Sequence, residues 1–174
     1  LDRTASSDRV YQWSLTTAWD ITTGSYTTGN FFSVQAQDSK SNGFTFSPDG
    51  TKMFIVGQNN HRVFQYSLTT GFDISTAAYT GKSFVQAFED GTPEGMEFSA
   101  DGTQMFIVGD LNNKIFQYSL TTAWDIETAS YTSGDSFSVA SQSTNPEEIV
   151  FSSDGSKMFL VSKTDTDAIY EYTL

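Results

Sequence analysis

The chain contains no cysteine, one histidine, three prolines and only nine lysines and arginines in 174 residues. The first absence removes disulfides, thiol chemistry and cysteine-ligated metal sites together. It leaves the compartment open, because a domain of this size needs no covalent staples. The lone histidine, His61, cannot build a histidine-based metal cluster. It could serve as a general base, but a triad also needs a placed nucleophile and an orienting acid, and Ser and Thr are too numerous here to single one out. An exposed loop histidine is the plainer reading. The scarcity of cations against 21 Asp and Glu gives a formal charge of −12. Such a surface repels phosphate backbones and anionic lipid heads, so neither nucleic acid nor a membrane surface is expected as a partner. No apolar run approaches the length of a membrane span. The segment LDRTASS is neither basic nor apolar enough for a signal peptide, although a leader could have been removed, since residue 1 is not Met. Helical periodicity of useful length is missing throughout.

Aromatic residues, by contrast, make up 15% of the chain, which argues for a packed domain rather than disorder. They recur in register. SLTTAWDI stands at 14–21 and again at 119–126, with SLTTGFDI at 67–74. Three series step together by 52 to 54 residues: Asp49-Gly50, Asp101-Gly102 and Asp154-Gly155; Trp19, Phe72 and Trp124; Gln12, Gln65, Gln117 and Glu171. The repeats run 8–60, 61–113 and 114–166, with a closing strand at 167–174, all within one domain over 1–174.

Each unit reads as four strands. Strand A is GFTFS (43–47), GMEFS (95–99) and EIVFS (148–152). An Asp-Gly turn follows, where Gly supplies the positive φ of a hairpin. Strand B, KMFIVG, QMFIVG and KMFLVS, is apolar on both faces and should be buried on both. Strand C, at 9–15, 62–68, 114–120 and 168–174, alternates, with Tyr11, Trp13 and Leu15 on one side and Val10, Gln12 and Ser14 on the other. Strand D is expected at FFSVQA, SFVQAF and SFSVAS. Four antiparallel strands in about 50 residues describe a β-propeller blade, so the fold class is all-β with about three blades per chain. A parallel β-helix, with shorter coils and fewer hairpins, ranks well below.

The stretches FSPDGTKMFIVG, FSADGTQMFIVG and FSSDGSKMFLVS, and the wider cassette RVFQYSLTT…FDI…YT…SF, resemble tandem β-propeller repeats of the lactonase-like kind. They also resemble repeat arrays in bacterial and phage surface or secreted proteins. The resemblance covers residues 8–174 and implies a propeller fold and an extracellular, cell-surface or virion location. It brings no catalytic residues with it.

In strand order the chain runs C-D, A-B-C-D twice, then A-B-C. Three units cannot close a ring alone, because propellers take four or more blades. Open ends would expose apolar faces, so the polypeptide is expected to belong to a longer array or to associate head to tail with a second copy. One C strand, 9–15 or 168–174, is redundant in such a pair, which favours the longer array over the pair.

Two sets of residues are candidates for chemistry. The D–A and B–C loops of a propeller gather on its axial face; here they are 36–42, 87–94 and 140–147, with 57–62, 109–113 and 162–167. They carry Asp38, Asn59, Asn60, His61, Glu89, Asp90, Asp110, Asn112, Asn145 and Asp165 as candidate ligand contacts, with Glu94, Asn113, Glu147 and Asp167 nearby. Oxygen ligands of this type suit Ca²⁺, but no loop has an EF-hand spacing, and turn-forming Asx residues are the preferred reading; no other cofactor is expected. Glu147 and Glu148 are adjacent on strand-like backbone and so point apart, which makes them poor acid–base partners; Glu89 and Asp90 escape that objection, but nothing gives them paired roles. The second set lies in the long C–D connection: Trp19 with Asp20, Phe72 with Asp73, and Trp124 with Asp125, followed by Tyr26, Tyr79 and Tyr131. An aromatic-plus-Asp pair could bind a sugar in each blade. The preferred reading is a ring that pins a long loop, with the Asp fixing its turn. On balance the residues point to a binding or structural module without catalysis. A metal-dependent lactonase-like hydrolase and a glycan-binding lectin are the alternatives.

Overall fold

The computed structural model describes residues 2–4, 7–85, 90–163 and 168–174. It consists of antiparallel sheets stacked face to face, fanned as the blades of a propeller. The first blade holds β1 (Asp2–Thr4), β2 (Ser7–Tyr11), β3 (Ser14–Leu15), a 3-10 turn η1 (Ile21–Thr23), β4 (Gly24–Ser25) and β5 (Phe31–Ser33). The second holds β6 (Ser41–Phe46), β7 (Lys52–Gly57), β8 (Arg62–Leu68), η2 (Ile74–Thr76) and β9 (Ala77–Val85). The third repeats this plan with β10 (Pro93–Phe98), β11 (Gln104–Gly109), β12 (Lys114–Leu120), η3 (Ile126–Thr128) and β13 (Ala129–Ser138). The fourth holds β14 (Pro146–Phe151), β15 (Lys157–Ser162) and β16 (Ala168–Thr173).

Strand B is buried on both sides in β7 and largely so in β11, as its sequence requires, whereas β15 in the end blade keeps one face open, with Val161 39% exposed. In β7, Met53 and Ile55 join Val10, Val34 and Tyr66 in the core between blades one and two. Phe54 and Val56 join Met96, Phe98 and Ile107 in the core between blades two and three. A third core, between blades three and four, contains Val108, Ile115, Ile149, Met158 and Leu160. Strand alternation sends one set of side chains each way, so every interior strand glues two neighbours.

The A–B turns form where the Asp-Gly pairs stand. Asp49 Oδ1 accepts the Ser47 hydroxyl at 2.6 Å and the Thr51 amide at 3.0 Å, and Gly50 takes φ +69°. Asp101 and Asp154 repeat the arrangement at 2.7 and 2.6 Å. These bonds, led by the hydroxyl of Ser47, Ser99 or Ser152, hold all three carboxyls at about 2.

Two further features differ from the sequence expectation. Strand D starts earlier than SFVQAF and SFSVAS, at Ala77 and Ala129, directly after the 3-10 turn. Tyr79 and Tyr131 are therefore strand residues, paired with Tyr66 and Tyr118, and the C–D connection is short. A register shift between Phe64 and Tyr66, and again between Phe116 and Tyr118, breaks the alternation that would have revealed it. The second difference is β1, which pairs with β2 on the side where other blades carry strand B.

Candidate functional site

The axial-face loops are built around buried carboxylates. Asp38, 1% exposed, accepts the backbone N–H groups of Lys40 (2.7 Å), Asn59 (3.3 Å) and Asn60 (2.8 Å). It thereby ties the D–A loop to the B–C turn. Asp90, 2% exposed, does the same through the amides of Thr92 (2.8 Å) and Asn112 (2.9 Å). Each carboxylate lies against a glycine: a Cβ built on Gly57 would stand 2.4 Å from Asp38 Oδ2, and one on Gly109 would stand 2.3 Å from Asp90 Oδ2. In the third unit both partners change together. Ser143 replaces the Asp, Ser162 replaces the Gly, and their hydroxyls meet at 2.7 Å.

The remaining candidates spread along this face. Asn59 Nδ2 donates to Ser39 Oγ at 2.6 Å, and Asn60 Nδ2 donates to the Gln37 carbonyl. His61 and Asn113 occupy the same turn position, both at φ 50°. Asn145 donates its N–H to Ser143 Oγ at 3.1 Å, and its carbonyl accepts from Lys163. Burial, then the neighbouring Asp90 and Glu147 charges, push the Asp110 carboxyl up. Glu94 and Glu147 stand on β10 and β14 rather than in loops. Glu89, Asp165 and Asp167 lie outside the described residues. Among the described residues, no three His, Asp or Glu side chains converge to hold a metal ion.

One titratable group stands out. Glu148 occupies the strand position held by glycine in the other units, Gly43 and Gly95, and its carboxyl rests over Gly95. Burial pushes it from 4.5 up to about 7, with the Glu97 and Glu147 carboxylates adding to the rise and the Ile149 amide opposing it. A carboxyl whose folded pKa lies above its unfolded one stabilises the fold in its protonated form. That contribution is complete below about pH 4.5 and disappears as pH climbs through about 7. Glu148→Gln should therefore be more stable than the parent at pH 8 by about 2 kcal/mol, after discounting for partial exposure, and nearly equal to it at pH 4. Thermal melts at the two pH values check this.

The repeated octapeptide forms the C–D joint, at the opposite end of the sheets. Thr70 and Thr76 close it reciprocally: Thr76 Oγ1 accepts the Thr70 amide at 3.2 Å and donates to the Asp73 carbonyl at 2.7 Å. Asp73 caps η2 by accepting the Ser75 amide at 3.0 Å, as Asp20 caps η1 at Thr22 and Asp125 caps η3 at Glu127. The aromatic residue takes a left-handed backbone in all three copies, φ 64° at Trp19, 59° at Phe72 and 60° at Trp124. Such a φ is unfavourable for a side-chain-bearing residue. It is held by the Phe72 and Trp124 amides, which donate to the Gly50 and Gly102 carbonyls at 3.0 Å. The rings then lie flat on those glycines: a Cβ at Gly102 would stand 2.2 Å from Trp124 Nε1. Trp124 also packs on Phe54 and Phe98. Asp125 receives Lys82 of the preceding blade at 2.6 Å, and this ammonium holds its carboxyl below the usual range. Trp19, in contrast, is 99% exposed.

The role of the glutamine series was not apparent from sequence. Gln12 Oε1 accepts the Ile74 amide at 3.0 Å while its Nε2 donates to the Phe72 carbonyl at 2.8 Å. Gln65 likewise accepts the Ile126 amide at 3.2 Å. A glutamine on strand C thus clamps the joint of the next blade. The signal was its recurrence opposite the aromatic face of strand C, but its partner is some 60 residues away.

No protein-family model and no curated protein matches the chain. Solved structures do match in shape. A candidate 6-phosphogluconolactonase from Bacteroides uniformis superposes with a TM-score of 0.62 at 14% identity, over 93% of this chain and 46% of that one. A second, from Bacteroides fragilis, gives 0.61 at 11% identity, over 95% and 44%. The calcium-binding protein regucalcin from Agrobacterium tumefaciens gives 0.53 at 20% identity, over 80% and 43%. These likenesses establish the β-propeller fold. The chain spans less than half the length of each of these structures.

Proposed function

We propose that the chain is a non-catalytic β-propeller module of a secreted, cell-surface or virion protein, which presents variable axial-face loops to a ligand or partner. One observation carries this reading. The axial carboxylates best placed for chemistry, Asp38 and Asp90, are committed to backbone N–H groups that hold the loops in shape. The residues that differ between units, such as Asn59 and Leu111, are exposed beside them. A fixed frame with variable tips suits recognition. A metal-dependent lactonase-like hydrolase is the second reading, favoured by the lactonase descriptions of the shape neighbours, and it is an analogy of fold. A lectin reading rests on Trp19, whose ring is free to stack on a sugar.

Thermal melts with Ca²⁺ and with EDTA, beside a panel of sugar lactones, separate the first two readings. The module predicts no hydrolysis and no shift with either additive. Lactone turnover abolished by EDTA would establish the hydrolase instead. Glycan binding lost in Trp19→Ala would support the lectin.

A further inference from the structure

Three contacts recur inside the chain, two of them between blades and one between the A–B turn and the C–D joint of a single blade, and each leaves one unmatched half at either end. The first is ring on ring, from strand B to the next strand A: Phe54 meets Phe98 at 4.6 Å and Phe106 meets Phe151 at 4.4 Å. Phe159 at one end and Phe46 at the other are the corresponding rings that do not meet. The second is the aromatic ring on the A–B glycine, Phe72 on Gly50 and Trp124 on Gly102. Gly155 has nothing within 4 Å among the described residues, while Trp19 is 99% exposed. The third is the glutamine clamp, Gln12 to Ile74 and Gln65 to Ile126. Gln117 donates sideways to Gln104 instead, and Ile21, the equivalent of the buried Ile74 and Ile126, is 85% exposed.

Two of the unmatched halves, Gln117 and Gly155, line one place. Gln117, Phe106 and Phe151 border a groove of about 590 Å³ that runs to Gly155. From these complementarities we infer that the groove is a socket for the Thr16–Thr23 joint of a second copy of this chain, with Trp19 on Gly155 and Ile21 under Gln117. In the same junction Phe159 meets Phe46 of the other copy.

The junction requires strand exchange, because Leu15 of the incoming chain must occupy the position of Leu174. Strands 9–15 and 168–174 compete for the edge of β15. The glutamine decides between them. Gln12 donates to the Phe72 carbonyl, which a carboxylate at Glu171 cannot do. The incoming β2 and β5 therefore complete β14 and β15, and β1 and β16 are displaced. In the single chain those two strands occupy edges that would otherwise be bare, β1 on β2 and β16 on β15. Glu171 meanwhile rests on Lys157 at 2.7 Å, an exposed pair that resists displacement only weakly. Each copy contributes about three blades, so two copies joined reciprocally close a ring of about six, within the usual propeller range.

The absence of cysteine makes a direct test available. Ile21→Cys and Gln117→Cys are placed in one chain and treated with a short bismaleimide. Efficient crosslinking into a closed dimer is expected, and it should fall at least tenfold when Trp19→Ala and Phe159→Ser are added. Both added changes are at the unmatched ends, and circular dichroism reports whether the fold is kept. Crosslinks confined to single chains, or none, would overturn the socket. A ladder of higher oligomers would overturn the two-copy ring.

Discussion

Gly57→Ser is expected to destabilise the fold by about 3 kcal/mol, and Asp38→Ser in the same protein is expected to recover much of that loss. The new Cβ would stand 2.4 Å from Asp38 Oδ2. The carboxylate cannot withdraw, because it holds three backbone amides away from water. Overpacking of this kind costs about 1–3 kcal/mol, and disturbing a buried charge-assisted bond adds to it. Asp38→Ser alone leaves amides unsatisfied and should also cost about 3 kcal/mol. The third unit shows the solution to the double change, with Ser143 and Ser162 in contact at 2.7 Å. Urea unfolding of the parent, both single variants and the pair gives the coupling directly. A favourable coupling of about 1–3 kcal/mol is expected; simple additivity would mean that the two positions do not act as a unit.

Trp124→Ala should cost about 3 kcal/mol at every protein concentration. Its ring fills the space over Gly102 and touches Phe54 and Phe98, so truncation leaves a cavity between two blades. Trp19→Ala makes the same chemical change in the same octapeptide, yet within one chain it removes nothing buried. Its effect should be confined to concentrations at which chains associate. Equal, concentration-independent losses for the two variants would contradict a joint that works by packing.

Sequence periodicity reached those parts of the fold that depend on neighbours along the chain. The both-face apolar pattern of KMFIVG announced a strand shared by two cores, and Asp49-Gly50 announced its hairpin. The start of strand D at Ala77 stayed hidden because a register shift after Phe64 breaks the two-residue alternation. β1 was also missed, since a three-residue polar strand has no apolar face to declare it. At the axial face, residue type gave the right positions without their duties. Asp38 is as good a cation ligand as a turn former on paper, and only its distances to Lys40, Asn59 and Asn60 show what it binds here. Gln12 was visible as a repeated letter, but the Phe72 carbonyl it holds is set by the stacking of blades.

The unmatched contacts at the two ends meet their most direct test in the mass of the chain in solution, by light scattering behind a sizing column. Two associated chains, twice the 19.2 kDa of one, are the expected result across micromolar concentrations. A monodisperse particle of 19.2 kDa at those concentrations would contradict it.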